Sequence, residues 1–385
     1  MKWTNRGHQF DEIGKRFHDV EEIIIYGAGE YGMKLGKLLK GIKAPFVYLD
    51  DFKKSKGTCE GVKVIYHKDL EEEMKKKKCI IILALGRENA GIVLKGLELQ
   101  GLRYGENVFD IHSFMNYYIY IYATYGLNKC IIQDCSVMGV FKCSLKCKHC
   151  VGAFPYMNNK ENTAIDNVKR DIDILFSKID YIKEFGMVCG DILLYEDTEE
   201  FISYVMENYS DQIGNCTVLV NGMLIPRQSI IDTVKKYNLP VMISNYDTVK
   251  GWKERHDRLI EVLSSNDIKV VDIKMKEWVD LGWTERKYHD NAEKLFDACG
   301  GQCRAFQDGK LFYCAHALTA NRALYGLDDS EEGLDLTTEE DNIKKIITEY
   351  HLGYNKNSNL KMCHYCNGVS NVNQNTIPVA VQLER

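Results

Sequence analysis

Short apolar runs alternate with helical stretches along most of the chain, and this alternation leaves few folds open. EEIIIY (21–26) reads as a buried strand, followed by GAGEYG and a helix through GMKLGKLLK. FVYLD, ending at Asp50 and Asp51, is a second strand, and CIIILAL (79–85) is a third, after the charged helix DLEEEMKKKK. A second series opens with the strand IIQDCSVMGVF. A helix is expected over about 164–185, where Ile165, Val168, Ile172, Leu175, Ile179 and Ile182 fall at helical spacing. Further strands are expected near 187–194, 216–220, 240–245 and 268–274, with helices near 198–208, 228–237 and 252–264 and a sixth strand at KLFYC. Such alternation predicts parallel sheets with right-handed crossovers, hence an α/β protein.

A chain of 385 residues predicts two or three domains. We expect a small α/β domain over 1–116, a partial (β/α)6 barrel over 130–296 and a cysteine-rich cap over 297–385. The stretch NYYIYIYATYGL between the first two reads as a packed connector. A net charge of −5 offers no basic footprint for nucleic acid. The charged start MKWTNRGHQFDEIGKRFHDV lacks the apolar core of a signal peptide, and no apolar run is long enough to span a bilayer. A cytoplasmic protein is therefore expected, with no membrane partner. KKKK (75–78) reads as a solvated helix end.

In a reducing compartment, clustered cysteines point to metal or catalysis rather than disulfides. Two clusters stand out among fourteen cysteines: Cys143, Cys147 and Cys150, then Cys299, Cys303, Cys314, Cys363 and Cys366. The others are scattered, mostly in apolar runs, where a thiol is commonly a small buried residue. In FKCSLKCKHC the thiols follow a predicted strand at C-x3-C-x2-C spacing. Three thiolates on a short loop can each take one iron of a cubane and leave the fourth iron open. A zinc site completed by His149 is the alternative, although His149 directly precedes Cys150, which is awkward for joint ligation.

CSLKCKHC resembles the signature of the radical S-adenosylmethionine (SAM) superfamily, with His149 where an aromatic residue usually precedes the third cysteine. VCGDILLY (188–195) resembles the family's glycine motif, usually GGEP, which holds the SAM amino group. Here Cys189 stands for the first glycine, Asp191 for the glutamate and Ile192 for the proline, while Gly190 is retained. LVNGMLIP and VMISNYD resemble the third- and fourth-strand segments, so the resemblance puts Asn221 and Ser244 near SAM or substrate. An Asn-Gly pair is also ordinary turn chemistry. The resemblance implies a [4Fe-4S] cluster on Cys143, Cys147 and Cys150, SAM as cofactor and a one-electron donor such as flavodoxin or ferredoxin.

The C-x9-G-x4-C run from Cys299 through Gly309 to Cys314, followed by Cys363 and Cys366, resembles the SPASM or shorter twitch extension of these enzymes. That resemblance implies an auxiliary iron–sulfur cluster, with five thiols for four ligand places. Spacing does not say which thiol is spare, and zinc remains an alternative metal. A spare cysteine, or Cys189 on the strand of the SAM motif, is a candidate hydrogen-atom donor. His316 and His364 adjoin cluster cysteines. Trp278 and Trp283 are candidates to pack on a sugar or adenine, or to anchor the core.

Gly27, Gly29 and Gly32 follow a strand and open a helix, the context of a dinucleotide fingerprint, and Asp50 or Asp51 is placed to accept from a ribose hydroxyl. The domain resembles the Rossmann-like module attached to several sugar- and polysaccharide-modifying enzymes. Three strands are evident, and packing alone also accounts for such glycines. The reading is an enzyme that abstracts hydrogen from a sugar, nucleotide sugar or cyclitol, with oxidation or epimerisation as outcome. Peptide maturation is the alternative enzymatic reading, and a zinc-stabilised nucleotide-binding protein is the alternative of another class.

Overall fold

The computed structural model describes residues 10–52, 57–187, 190–301, 303–353 and 358–384. Among them, the first unit contains β1 (Glu22–Tyr26), β2 (Phe46–Leu49), β3 (Thr58–Cys59), β4 (Val62–Ile65), β5 (Cys79–Leu83) and β6 (Val108–Asp110). They form one sheet in the order β3-β4-β2-β1-β5-β6, parallel except for the β3–β4 hairpin. The sheet is therefore larger than the three strands legible in the sequence. The additional strands are two to four residues long, too short for periodicity to register. Ile23, Ile24, Ile25 and Ile80–Leu83 are all buried, because helices cover both faces of the sheet.

The expected boundary at 116 falls inside a continuous helical run, Ile111–Ser113, Phe114–Tyr118 and Ile119–Leu127. Its aromatic residues explain the connector: Phe114, Tyr120 and Tyr122 are buried in a core shared with Phe17, Phe109, and Ile131 and Tyr181 of the next unit. Tyr120 Oη donates to Gln133 Oε1 at 2.8 Å, and Lys129 Nζ to the Ile42 carbonyl at 2.6 Å. The linker is thus a packed joint.

The second sheet holds β7 (Ile131–Val137), β8 (Tyr181–Met187), β9 (Ile213–Val220), β10 (Val241–Asn245) and β11 (Val270–Lys274) as consecutive parallel neighbours. The expected helix over 164–185 is two elements. Ile165–Lys178 is helical, Ile179 is extended, and Tyr181–Met187 is β8, earlier than the predicted strand. Ile182 and Phe185 are buried on opposite faces of this strand; the apolar spacing had merely continued across the turn. After β12 (Glu277–Val279), β13 (Ala305–Gln307) runs parallel to β7, on the side away from β8.

KLFYC, expected as the sixth barrel strand, instead gives β14 (Lys310–Phe312), antiparallel to β13, with β15 (Gly333–Asp335) beyond it. Asp308 (φ 52°) and Gly309 (φ 75°) make the tight turn, as expected when both central hairpin residues need positive φ. The result is an incomplete barrel of five strands in chain order, with one more parallel strand supplied by the cap. Cap residues Phe306, Leu311, Tyr313, Ile347 and Tyr350 belong to the same core cluster as the barrel residues Ile132, Phe185 and Val218. Arg304, 1% exposed, joins the units: it donates to Asp134 Oδ2 at 3.0 Å and to the His351 carbonyl at 2.7 Å. β16 (Thr376–Pro378) closes the chain against β12.

Candidate functional site

The thiol loop begins where β7 ends. Its approach segment is held by two backbone hydrogen bonds: Gly190 N donates to the Val140 carbonyl and Asp191 N to the Lys142 carbonyl, both at 2.8 Å. A side chain at 190 would sit 2.8 Å from the Lys142 carbonyl carbon and closer still to its oxygen, so this close approach requires glycine. Asn162 Oδ1 accepts from Phe141 N at 3.0 Å and fixes the segment from the other side. Beyond Cys150 the chain turns through Ala153 (φ 53°), and Trp283 Nε1 donates to the Cys150 carbonyl at 3.0 Å.

Cys143, Cys147 and Cys150 line one cavity of about 340 Å³. Gly190, Asn221 and Ser244 line it too, with Trp278 and Cys303. Its walls come from the C-terminal ends of β7, β9 and β10, the end at which a βα barrel carries its chemistry. Asn221 Nδ2 donates to Ser144 Oγ at 2.9 Å and lies 3.6 Å from Cys143 Sγ. Its own carbonyl accepts from Trp252 Nε1 at 2.8 Å, and Gly222 (φ 77°) turns directly beneath that indole.

Asp191 lies under the loop. It is 1% exposed, accepts from Ser144 Oγ at 2.9 Å and from Leu193 N at 3.2 Å, and burial pushes its carboxyl above the usual range. Ser144, unmarked in the sequence by any motif of its own, is the joint between Asp191, Asn221 and the thiols. Cys189 lies outside the described residues.

His149 Nδ1 is 3.9 Å from Asp280 Oδ1. Among the described residues no three His, Cys, Asp or Glu side chains group as ligands of a single ion. A cubane makes a different demand, since each thiolate takes its own iron. Burial pushes the Cys143 thiol up to about 11 and that of Cys147 to about 12, as it does for the scattered buried cysteines Cys130 and Cys216. Three thiols converging on a cavity of this size suit a cluster with room beside it for a further ligand.

The second cysteine group divides. Cys299, Cys314, Cys363 and Cys366 line a small apolar cavity of about 40 Å³, whereas Cys303 lines the first cavity. Backbone amides point at these sulfurs, among them Gly301 N to Cys299 and Gly368 N to Cys366, each at 3.4 Å, and the His316 and Ala317 amides to Cys314. His316 borders both cavities. His364 Nδ1 faces the His289 carbonyl at 2.8 Å, and its ring stacks on Tyr288. Trp278 reaches the first cavity and meets Tyr246 edge-on at 5.4 Å, while Trp283 is a buried anchor.

In the N-terminal unit Gly27 (φ 107°) and Gly32 are required by packing, because a Cβ on either would crowd the backbone at Ala84 or Gly27. Gly29 has no atom within 4 Å of its would-be Cβ, so its loop face is open. Asp50 shapes this loop: Oδ2 accepts from Ala28 N at 2.9 Å and Oδ1 from Phe52 N at 3.0 Å. The loop sits at the switch point between β1 and β5, where open α/β sheets leave a crevice.

No family model matches the chain, and no curated protein does. Among solved structures it is similar to BtrN in complex with AdoMet and 2-DOIA, at 14% identity and TM-score 0.38 over 63% of this chain and 95% of that one. It is similar to anSMEcpe with bound AdoMet at 12% identity and TM-score 0.41, over 57% and 82% of the respective chains. Streptococcus suis SuiB bound to S-adenosylmethionine gives 10% identity and TM-score 0.32 over 69% and 81%.

Proposed function

We propose that this chain is a radical SAM enzyme that abstracts hydrogen from a sugar, nucleotide-sugar or cyclitol substrate. The observation that carries the reading is the sharing of one cavity by the three loop thiols with Gly190, Asn221 and Ser244. A [4Fe-4S] cluster on Cys143, Cys147 and Cys150, reduced by a flavodoxin- or ferredoxin-type donor, would bind SAM at its open iron and supply a 5′-deoxyadenosyl radical. Asn221 and Asp191 keep the loop in register through Ser144, and the Ser244 hydroxyl and Trp278 offer a polar and an aromatic contact to what enters. A cavity of about 340 Å³ suits a small molecule.

Cys303 favours epimerisation. It lines this cavity, and also the groove beside Asp134 and Glu184, while the four other cap cysteines line their own cavity. A substrate carbon radical takes the hydrogen atom from the Cys303 S–H on the opposite face, leaving a thiyl radical. One electron and one proton from the reductant restore the thiol. Oxidation is the second reading, with the four-thiol site holding an auxiliary cluster that accepts the substrate radical's electron. The open face at Gly29 supports a nucleotide diphosphate on the N-terminal unit.

The test is an anaerobic incubation with reductant, SAM and a panel of nucleotide sugars, cyclitols and peptides in D2O. The reading expects 5′-deoxyadenosine and a sugar or cyclitol product carrying one solvent deuterium. Cys303→Ala should keep 5′-deoxyadenosine release and lose the deuterium. A product two mass units lighter supports oxidation, and turnover of peptides alone replaces the substrate class. A colourless protein without iron or sulfide after anaerobic reconstitution ends the radical reading.

A further inference from the structure

The end of the chain returns to the thiol loop. β16 pairs antiparallel with β12, and Val379 and Ala380, each 1% exposed, pack in one cluster with Leu145 and Cys147. The next residues add a short antiparallel strand to the loop itself: Lys148 N donates to the Val381 carbonyl at 2.7 Å and Leu383 N to the Lys146 carbonyl at 2.9 Å. Cys147 and Gln382 are direct partners across this bridge. Thr248 Oγ1 ties down the same segment by donating to the Val379 carbonyl at 3.0 Å.

Gln382 makes the chemical contact. Its Oε1 accepts from Lys146 N at 2.8 Å, and its Nε2 donates to the Ala380 carbonyl at 2.6 Å and to Cys147 Sγ at 3.3 Å. The first two bonds fix which end of the amide is nitrogen, so the third is an N–H···S bond. The sulfurs of Cys143 and Cys150 receive their donors from nearby backbone or from the barrel residue Asn221. Cys147 alone of the three takes a side-chain donor from a segment 235 residues away.

Building on the reading of Cys147 as an iron ligand, we propose that residues 376–384 are a clamp on the first cluster and that Gln382 is a positioning residue that sets its potential. An N–H···S bond draws charge from the thiolate and stabilises the reduced, more negative cluster, raising its potential. The apolar pair Val379–Ala380 covers the loop from solvent at the same point.

The test uses the full-length, reconstituted protein and two point variants, Gln382→Leu and Gln382→Glu, with a truncation after Asn375. Redox titration followed by EPR reads the potential of the cluster whose spectrum responds to SAM, and a ferrous chelator reads iron loss. The expected result is a shift to more negative potential in both point variants, larger for Gln382→Glu, whose carboxylate faces the sulfur. Iron loss should be several-fold faster after truncation, with the main thermal transition kept by the point variants. An unchanged potential with a SAM-responsive cluster present overturns the clamp alone. A wild-type protein with no SAM-responsive cluster overturns the functional reading and the clamp with it.

Discussion

Gly190→Ala is the sharpest perturbation of the site, because its effect follows from two backbones in contact. The new Cβ would lie 2.8 Å from the Lys142 carbonyl carbon, where carbon atoms prefer about 3.5–4.0 Å. The two segments must therefore part by about 1 Å, and their hydrogen bonds, Gly190 N to Val140 O and Asp191 N to Lys142 O, are lost together. Overpacking costs about 1–3 kcal/mol and each lost bond about 1 kcal/mol, which gives a loss of about 3–5 kcal/mol. Gly96 provides the control. It lies in the helix Arg87–Leu99 with no atom within 4 Å of a new Cβ, so Gly96→Ala should stabilise by about 0.5–1 kcal/mol. Urea denaturation gives both values, and iron content after anaerobic reconstitution reports the thiol loop. A Gly190→Ala protein with wild-type stability and iron would refute the claim that this contact holds the loop.

Three further outcomes are expected. Arg304→Met leaves Asp134 and the His351 carbonyl without their buried partner and should destabilise by about 3 kcal/mol in thermal or urea melts. Burial holds Lys183 at about 8, below its ordinary 10.5. The unfolded chain keeps that proton from about pH 8 to 10.5, so stability rises across this window, by about 3 kcal/mol, and the burial penalty is complete below pH 8. Lys183→Met should flatten that rise in pH-dependent denaturation. Gly27→Ala, at φ 107°, should destabilise the N-terminal unit, whereas Gly29→Ala should leave its melting nearly unchanged and weaken nucleotide binding measured by calorimetry.

What was legible in the sequence was carried by local pattern. The thiol loop and the Asn221-Gly222 turn each lie within a dozen residues, and each strand or helix of the βα alternation carries its own local pattern, so spacing alone located them. The misread elements are those decided by a distant contact or by a turn. Ile179 and Ile182 continue the helical spacing across a break, which tertiary pairing with β7 resolves in favour of a strand. Asp308-Gly309 is a hairpin signal in plain view, but a single expected strand at KLFYC left it unused. The Asp191 carboxylate accepts from Ser144, beside the close backbone approach at Gly190, a contact that no local pattern announces. Gln382 carried no signal, because nothing in a pattern connects residues 235 apart.

The division of the cap thiols has a mechanical origin in that hairpin. Asp171, on the helix Ile165–Lys178, accepts from Asp308 N at 2.8 Å and Gly309 N at 3.0 Å, so the turn is anchored to the barrel wall. The anchored turn sets the register of Ala305 opposite Phe312, and beyond the end of that antiparallel ladder an isolated parallel bridge sets Cys303 beside Cys314. β13 is simultaneously locked to β7 at Ser136 and Val137, whose strand leads into the thiol loop. Cys303 thereby opens into the first cavity and Cys314 into the second, although the two are direct neighbours. A one-residue slip of β13 would exchange the faces of its side chains. The turn and its Asp171 anchor therefore help set which cap cysteine lines which cavity, a division that cysteine spacing alone leaves open.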